Sequence, residues 1–159
     1  MKHFFSLIVA LGLVFSSATA AELPTPTIVK VNDRIYALLG PMEMPTRKNQ
    51  GYMVNSVLVI GDTGAIVIDT GLSDEIGAML AGHFAKLTNK PINFVINTHH
   101  HGDHTLGNAA FPGAKFLSSE QCRKLMLEDG PTWISILESI NERKYPNTKI
   151  IAADATYPS

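Results

Sequence analysis

The feature that most restricts this chain is a strand, a helix and a second strand in immediate succession. AIVID at 65–69 is apolar and β-branched, as a pleated, half-buried surface requires, and Asp69-Thr70-Gly71 then breaks it. Ser73 is placed to cap a helix running to about Lys86, in which Ile76, Met79, Leu80, Ala81, Phe84 and Leu87 fall on one stripe. Asn89 and Pro91 stop it, and INFVI at 92–96 is a short, almost wholly apolar strand of the kind covered on both faces. Such a unit predicts a parallel pair with a right-handed crossover, and it delivers the next segment to the carboxyl edge of the sheet. That segment is NTHHHGDHTLGN at 97–108, where four of the six histidines fall between positions 99 and 104.

The flanking text is that of an α/β (α+β) domain. TIVKVNDRIYALLG alternates as a hairpin does, with Asn32-Asp33 as its turn, and 41–51 has the prolines and polar end of an exposed loop. YMVNSVLVIG reads as a strand, joined to AIVID by a tight turn at 61–64. Beyond the histidines come a short strand AKFL, a helix from about Ser119 to Glu128 ending at Gly130, a second helix from about Thr132 to Lys144, and a strand TKIIAA. No repeat or interdomain linker interrupts the chain.

Alternate residues of an extended loop face the same way, so His99 and His101 can converge on one ion while His100 points away. Asp103 and His104 follow a bend at Gly102 and can serve a second ion close by. Imidazole and carboxylate are ligands that zinc takes, and two ions roughly 3.5 to 4 Å apart can share a hydroxide formed near neutral pH. Asp103 is open between two roles, metal ligand or the group that orients water and passes its proton to the leaving group.

THHHGDH resembles the THxHxDH signature of the metallo-β-lactamase superfamily, and VLVIGDTGAIVIDTG resembles that family's strand, turn, strand and Asp-Thr-Gly; Gly107-Asn108 fits as well. The resemblance extends from about Ile28 to Ala153. It implies a zinc-dependent hydrolase of lactam, ester or thioester bonds, with His99 and His101 as ligands of a first Zn2+ and Asp103 and His104 of a second. It also implies that Asp69 braces the histidine loop from behind, since a ligating imidazole needs its other nitrogen fixed, and that loop 41–51 stands where the family's substrate flap lies. The family adds ligands downstream, yet no histidine follows His104; Asp129 precedes a helix-ending glycine in this reading and Asp154 lies at a ragged end. The expectation is therefore the amino-terminal half of a four-layer αββα sandwich, with the carboxyl-terminal half absent, weak zinc binding and self-association through an uncovered sheet face.

Residues 1–20 read as a signal peptide: MKHFF, a short apolar run, and Ala18-Thr19-Ala20 as a cleavage site, which leaves the domain at 21–159 periplasmic or secreted. Export and AAFPGAK at 109–115 point within the family towards the periplasmic hydrolases associated with quinoprotein and sulfur oxidation. A net charge of −1 from dispersed charges offers no face to nucleic acid or to a membrane, and the resemblance implies a small-molecule substrate. Cys122 is the sole cysteine, so no internal disulfide forms. The alternative function is an exported zinc-binding protein without catalysis; a Cys122-based hydrolase is disfavoured because Leu125 and Met126 give that helix the spacing of packing.

Overall fold

A computed structural model describes residues 22–158, so the segment read as a signal peptide lies outside the described residues. The chain is mixed α/β, built on one seven-stranded sheet whose spatial order follows the sequence: β1 (Thr27–Asn32), β2 (Ile35–Leu39), β3 (Ser56–Ile60), β4 (Ala65–Ile68), β5 (Ile92–Ile96), β6 (Lys115–Ser119) and β7 (Ala155–Tyr157). The first four strands are an antiparallel meander, and β4 to β7 are parallel. Three helices join the parallel strands: α1 (Asp74–Leu87) between β4 and β5, α2 (Gly102–Thr105) between β5 and β6, and α3 (Glu120–Asn141) between β6 and β7. Parallel strands laid down in one direction by crossovers of one hand carry their helices on one face.

Side-chain alternation records that asymmetry. Leu58, Val67, Val95 and Phe116 lie side by side by register and are buried, in one cluster with Ile76, Leu80 and Phe84 of α1 and Leu137 of α3. On the opposite face Val57, Ile68, Ile96 and Leu117 form a second row, with Val59, Ile66 and Phe94 beside it, all left partly exposed. The arrangement is one seven-stranded sheet with its long helices in one layer.

Helix α1 starts where Ser73 Oγ accepts from the Ile76 amide at 3.1 Å, with Asp74 and Glu75 in the first turn where the helix dipole favours them. Three expectations are corrected. The third helix does not end at Gly130: α3 runs on through Pro131. Pro131 lies on the exposed face, and the burial of Met126, Gly130, Leu137 and Asn141 along the other face offsets the lost backbone hydrogen bond. TKIIAA is not a strand; the seventh strand begins only at Ala155, after Asp154 has closed onto β6 by accepting from the Phe116 amide at 2.8 Å and donating its own amide to Phe116 O at 2.8 Å. Asp154 is thus a pairing residue at the sheet edge. The strand expected from Tyr52 is confined to Ser56–Ile60, because Gln50 and Gly51 take positive φ and turn the chain inward at the base of loop 41–51.

Tyr52 is fully buried at that base, and its hydroxyl has no hydrogen-bond partner among the described residues. Burial pushes its pKa up to about 12, above its unfolded value near 10. The neutral phenol is favoured in the native state, so this contribution is complete below pH 10 and is lost as pH rises towards 12. The urea midpoint is expected to fall across that interval, and Tyr52→Phe to reduce the fall; equal falls in both proteins would contradict the assignment.

Candidate metal centre

The histidine segment leaves β5 at the carboxyl edge of the sheet, beside the end of β4, as the strand-helix-strand pattern requires. Residues 98–100 form a bend, and His101 is the N-cap of α2. The His99 ring centroid lies 4.0 Å from that of His104 and 4.8 Å from that of His101, so these three rings gather on one side. His100 turns its Nε2 to 3.4 Å from Asp129 Oδ2, while its ring stays 4.7 Å from that of His101. Asp129, read from sequence as preceding a helix end, instead lies inside α3 against this loop. Asp103 Oδ2 is 3.1 Å from His104 Nε2.

Asp69 organises the cluster from behind. Its backbone is left-handed, with φ of 60°, which turns a buried carboxylate towards the loop. Thr98 donates its amide to Asp69 Oδ1 at 2.9 Å and its hydroxyl to Oδ2 at 2.7 Å, and His104 Nδ1 donates to Oδ2 at 2.8 Å. Because the single hydroxyl hydrogen of Thr98 is spent on Asp69, the 3.0 Å contact between Thr98 Oγ1 and His99 Nδ1 has His99 as donor. That fixes the His99 tautomer and leaves Nε2 with a lone pair.

A buried amide network grips the same loop one layer deeper. His104 O accepts from the Thr70 amide at 3.0 Å and from Asn97 Nδ2 at 2.9 Å, while Asn97 and Asn108 are joined to each other and Thr70 Oγ1 donates to Asn108 Oδ1 at 2.8 Å. Sequence reading did not single out Asn97, Thr98 or Thr70; the adjacency of Asn97 to a strand end and of Thr70 to Asp69 was the available signal. Gly107 lets this region close, since a Cβ there would stand 2.0 Å from Thr70 O. Cys122 is buried under Asn97 O, where desolvation raises its pKa, which suits packing and not nucleophilic work.

Desolvation alone would lower the His104 pKa, but hydrogen bonds and charge from Asp103 and Asp69 prevail and raise it to about 9. Burial opposes ionisation of Asp103, yet its hydrogen bond to His104 holds its pKa below the ordinary carboxylate range. His99 is held low by desolvation and by the neighbouring His104 and His101. In this protonation state an imidazolium lies between two carboxylates. The donor set, three imidazoles and a carboxylate, fits zinc chemically. As the side chains stand, no group of three or more His, Cys, Asp or Glu among the described residues is arranged to hold a metal ion. Both His104 nitrogens are engaged with carboxylates, Nδ1 with Asp69 and Nε2 with Asp103.

Residues 49–141, more than half of the chain, match the sequence profile of the metallo-beta-lactamase superfamily. The chain belongs to that superfamily and has its hydrolase fold. It is 28% identical over 130 residues to the metallo-beta-lactamase type 2 of Elizabethkingia meningoseptica, covering 80% of this chain and 51% of that protein. It is 35% identical over 60 residues to a linear primary-alkylsulfatase of a Pseudomonas species, covering 38% of this chain and 11% of that protein. Among solved structures it is similar to a metallo-beta-lactamase from Hirschia baltica (TM-score 0.60, 17% identity, 84% of this chain and 52% of that one). It is likewise similar to the metallo-beta-lactamase FIM-1 of Pseudomonas aeruginosa in its mono-zinc form (TM-score 0.57, 21% identity, 68% and 48%). The chain spans about half the length of the curated lactamase it matches.

Two expectations test this geometry. Gly107→Ala forces a methyl against backbone and is expected to cost about 3 kcal/mol, while Gly82→Ala, with nothing within 4 Å, is expected to gain up to about 1 kcal/mol in chemical denaturation; equal effects would refute the close approach. In the metal-free protein, NMR titration of His104 is expected to show a midpoint near 9 that drops in Asp103→Asn, where a hydrogen bond and a charge that raise it are lost. An unmoved midpoint would refute the pairing.

Proposed function

We propose that the protein is a zinc-dependent hydrolase of a lactam, ester or thioester bond, with His99, His101, Asp103 and His104 as the residues that hold the metal. The observation that carries this reading is the gathering of three histidine rings at the rim of a parallel sheet, with Asp69 fixing the rear nitrogens of two of them, directly for His104 and through Thr98 for His99. A rear nitrogen bound to a carboxylate orients the ring and makes its front nitrogen more basic. When bound, zinc supplies a Lewis acid that polarises the scissile carbonyl and makes water nucleophilic near neutral pH.

The rest of the chemistry falls to the chain. Asp103, ionised at neutral pH, presents Oδ2 beside His104 Nε2, on the ring edge away from Asp69. There it can take a proton from the attacking water and return it to the leaving nitrogen, oxygen or sulfur. Loop 41–51 is fastened at its base, where Asn49 accepts from Thr46 and Gly51 amides and donates to Met44 O, while Met42 and Met44 stay exposed at its tip. Gly51 packs on Leu72, whose Cδ1 also lies 3.0 Å from a Cβ position at Gly102, so this loop rises beside the histidine bend and supports the reading of a flap over a small-molecule substrate.

The second reading, zinc capture without catalysis, needs only the gathered histidine rings and none of the proton transfer assigned to Asp103. One experiment separates the two. Trp133 is the only tryptophan and its ring lies 5.0 Å from that of His101, so its fluorescence reports ions entering the cluster. Titration with zinc is expected to give a saturable change that His99→Ala with His101→Ala abolishes. Hydrolysis of a chromogenic lactam or thioester is expected to fall at least about 100-fold in Asp103→Asn. Zinc uptake without hydrolysis would establish the second reading, and no fluorescence response together with no retained zinc would remove both.

A further inference from the structure

We infer that Asp129 and Trp133, on one face of α3, are positioning residues that hold the histidine loop from the side opposite Asp69. The inference rests on the metal reading above for its consequence and on packing alone for its substance. Residues four apart on a helix share a face, and these two do so only because α3 continues through Gly130 and Pro131. That face meets three consecutive loop residues. Asp129 Oδ2 lies 3.4 Å from His100 Nε2, the Trp133 ring lies 5.0 Å from that of His101 at 49°, and a Cβ on Gly102 would fall 2.6 Å from Trp133 Cβ. The last contact leaves no space between helix and loop at the bend.

Each contact has a distinct effect. Asp129 turns the Nε2 edge of the middle histidine towards α3 while its ring stays 4.7 Å from that of His101, so His99 is the imidazole left against both His101 and His104. Trp133 closes one side of His101, which, unlike His99 and His104, makes no contact with Thr98 or Asp69 to fix a ring nitrogen. The indole restricts that ring from the α3 side, with the His99 and His100 rings at 4.8 and 4.7 Å on its other edges. Helix α3 can act as a buttress because it is itself immobilised: Cys122, Met126, Leu137 and Asn141 are buried, and Gly130 is seated directly on Ile150, where a Cβ would lie 2.6 Å from Cδ1. Neither Asp129 nor Trp133 needs to touch substrate for this role.

The test uses the full chain with Asp129→Ala, Asp129→Asn, Trp133→Leu and Trp133→Phe, compared by thermal midpoint, by zinc affinity in competition with a chromophoric chelator, and by histidine ring NMR of the metal-free protein. Partners that orient metal ligands are typically worth 10- to 100-fold in affinity, so Asp129→Ala and Trp133→Leu are each expected to weaken zinc binding at least about 10-fold. Trp133→Phe, which keeps an aromatic face against His101, is expected to recover most of the loss. In the metal-free Trp133→Leu protein the His101 ring resonances are expected to shift, those of His99 and His104 much less. Folded variants with unchanged zinc affinity and unchanged His100 and His101 resonances would overturn the inference. So would a loss in Trp133→Leu that Trp133→Phe reproduces in full, since the indole would then act through stability alone. If the wild-type chain takes up no zinc, the proposed function fails while the metal-free ring resonances still decide the positioning role.

Discussion

The Asp69 carboxylate is the interaction on which the remainder of this structure depends. It is buried at the end of β4 in a left-handed backbone conformation, which a non-glycine residue adopts at a cost of order 1 kcal/mol, and it needs compensating partners because a buried charge without them is expensive. Thr98 supplies an amide and a hydroxyl, and His104 an imidazole nitrogen. Through Thr98 the same carboxylate sets which nitrogen of His99 carries hydrogen. One side chain thus joins two adjacent strand ends and orients two histidines. The strain at its backbone is tolerated because the surrounding hydrogen bonds over-determine it.

The topology explains why this occurs at the rim. Crossovers of one hand between strands in sequential order put α1 and α3 on one face, so loops after β4 and β5 emerge together at the carboxyl edge. Behind them Asn97, Asn108 and Thr70 are buried yet satisfied by one another and by the His104 carbonyl, which fixes the loop without metal. Gly77 and Gly107 let helix and loop approach within distances no side chain would allow. The loop is therefore held by polar contacts on the sheet side and lies against α3 on the other.

The parts legible in the sequence were those with local causes. The helix cap at Ser73, the stripe from Ile76 to Leu87, and the apolar strand before the histidines depend on spacing within a few residues, and the structure forms all three, although the strand, read as covered on both faces, is buried on one only. The convergence of His99 with His101 was read from alternation in an extended loop and the nearness of His104 from a bend at Gly102, whereas residues 98–100 are themselves a bend leading into α2; spacing suggested the gathering, and tertiary hydrogen bonds hold it. Pro131 after Gly130 is a strong local stop signal, and only burial along the far face of α3 overrides it. That misreading concealed Asp129 and Trp133, because they share a face only in an unbroken helix. Asp154 was misjudged for a similar reason: its pairing with Phe116 spans 38 positions and leaves no local trace.

The central claim is that these imidazoles and one carboxylate bind a divalent cation directly. X-ray absorption at the zinc edge of the zinc-loaded chain tests it without reference to any substrate. The account predicts nitrogen and oxygen neighbours at about 2.0 to 2.2 Å with the outer-shell pattern of imidazole rings, and loss of that pattern when His99 and His101 are both replaced. A spectrum of zinc surrounded by water oxygens alone, identical in wild type and variant, would contradict it.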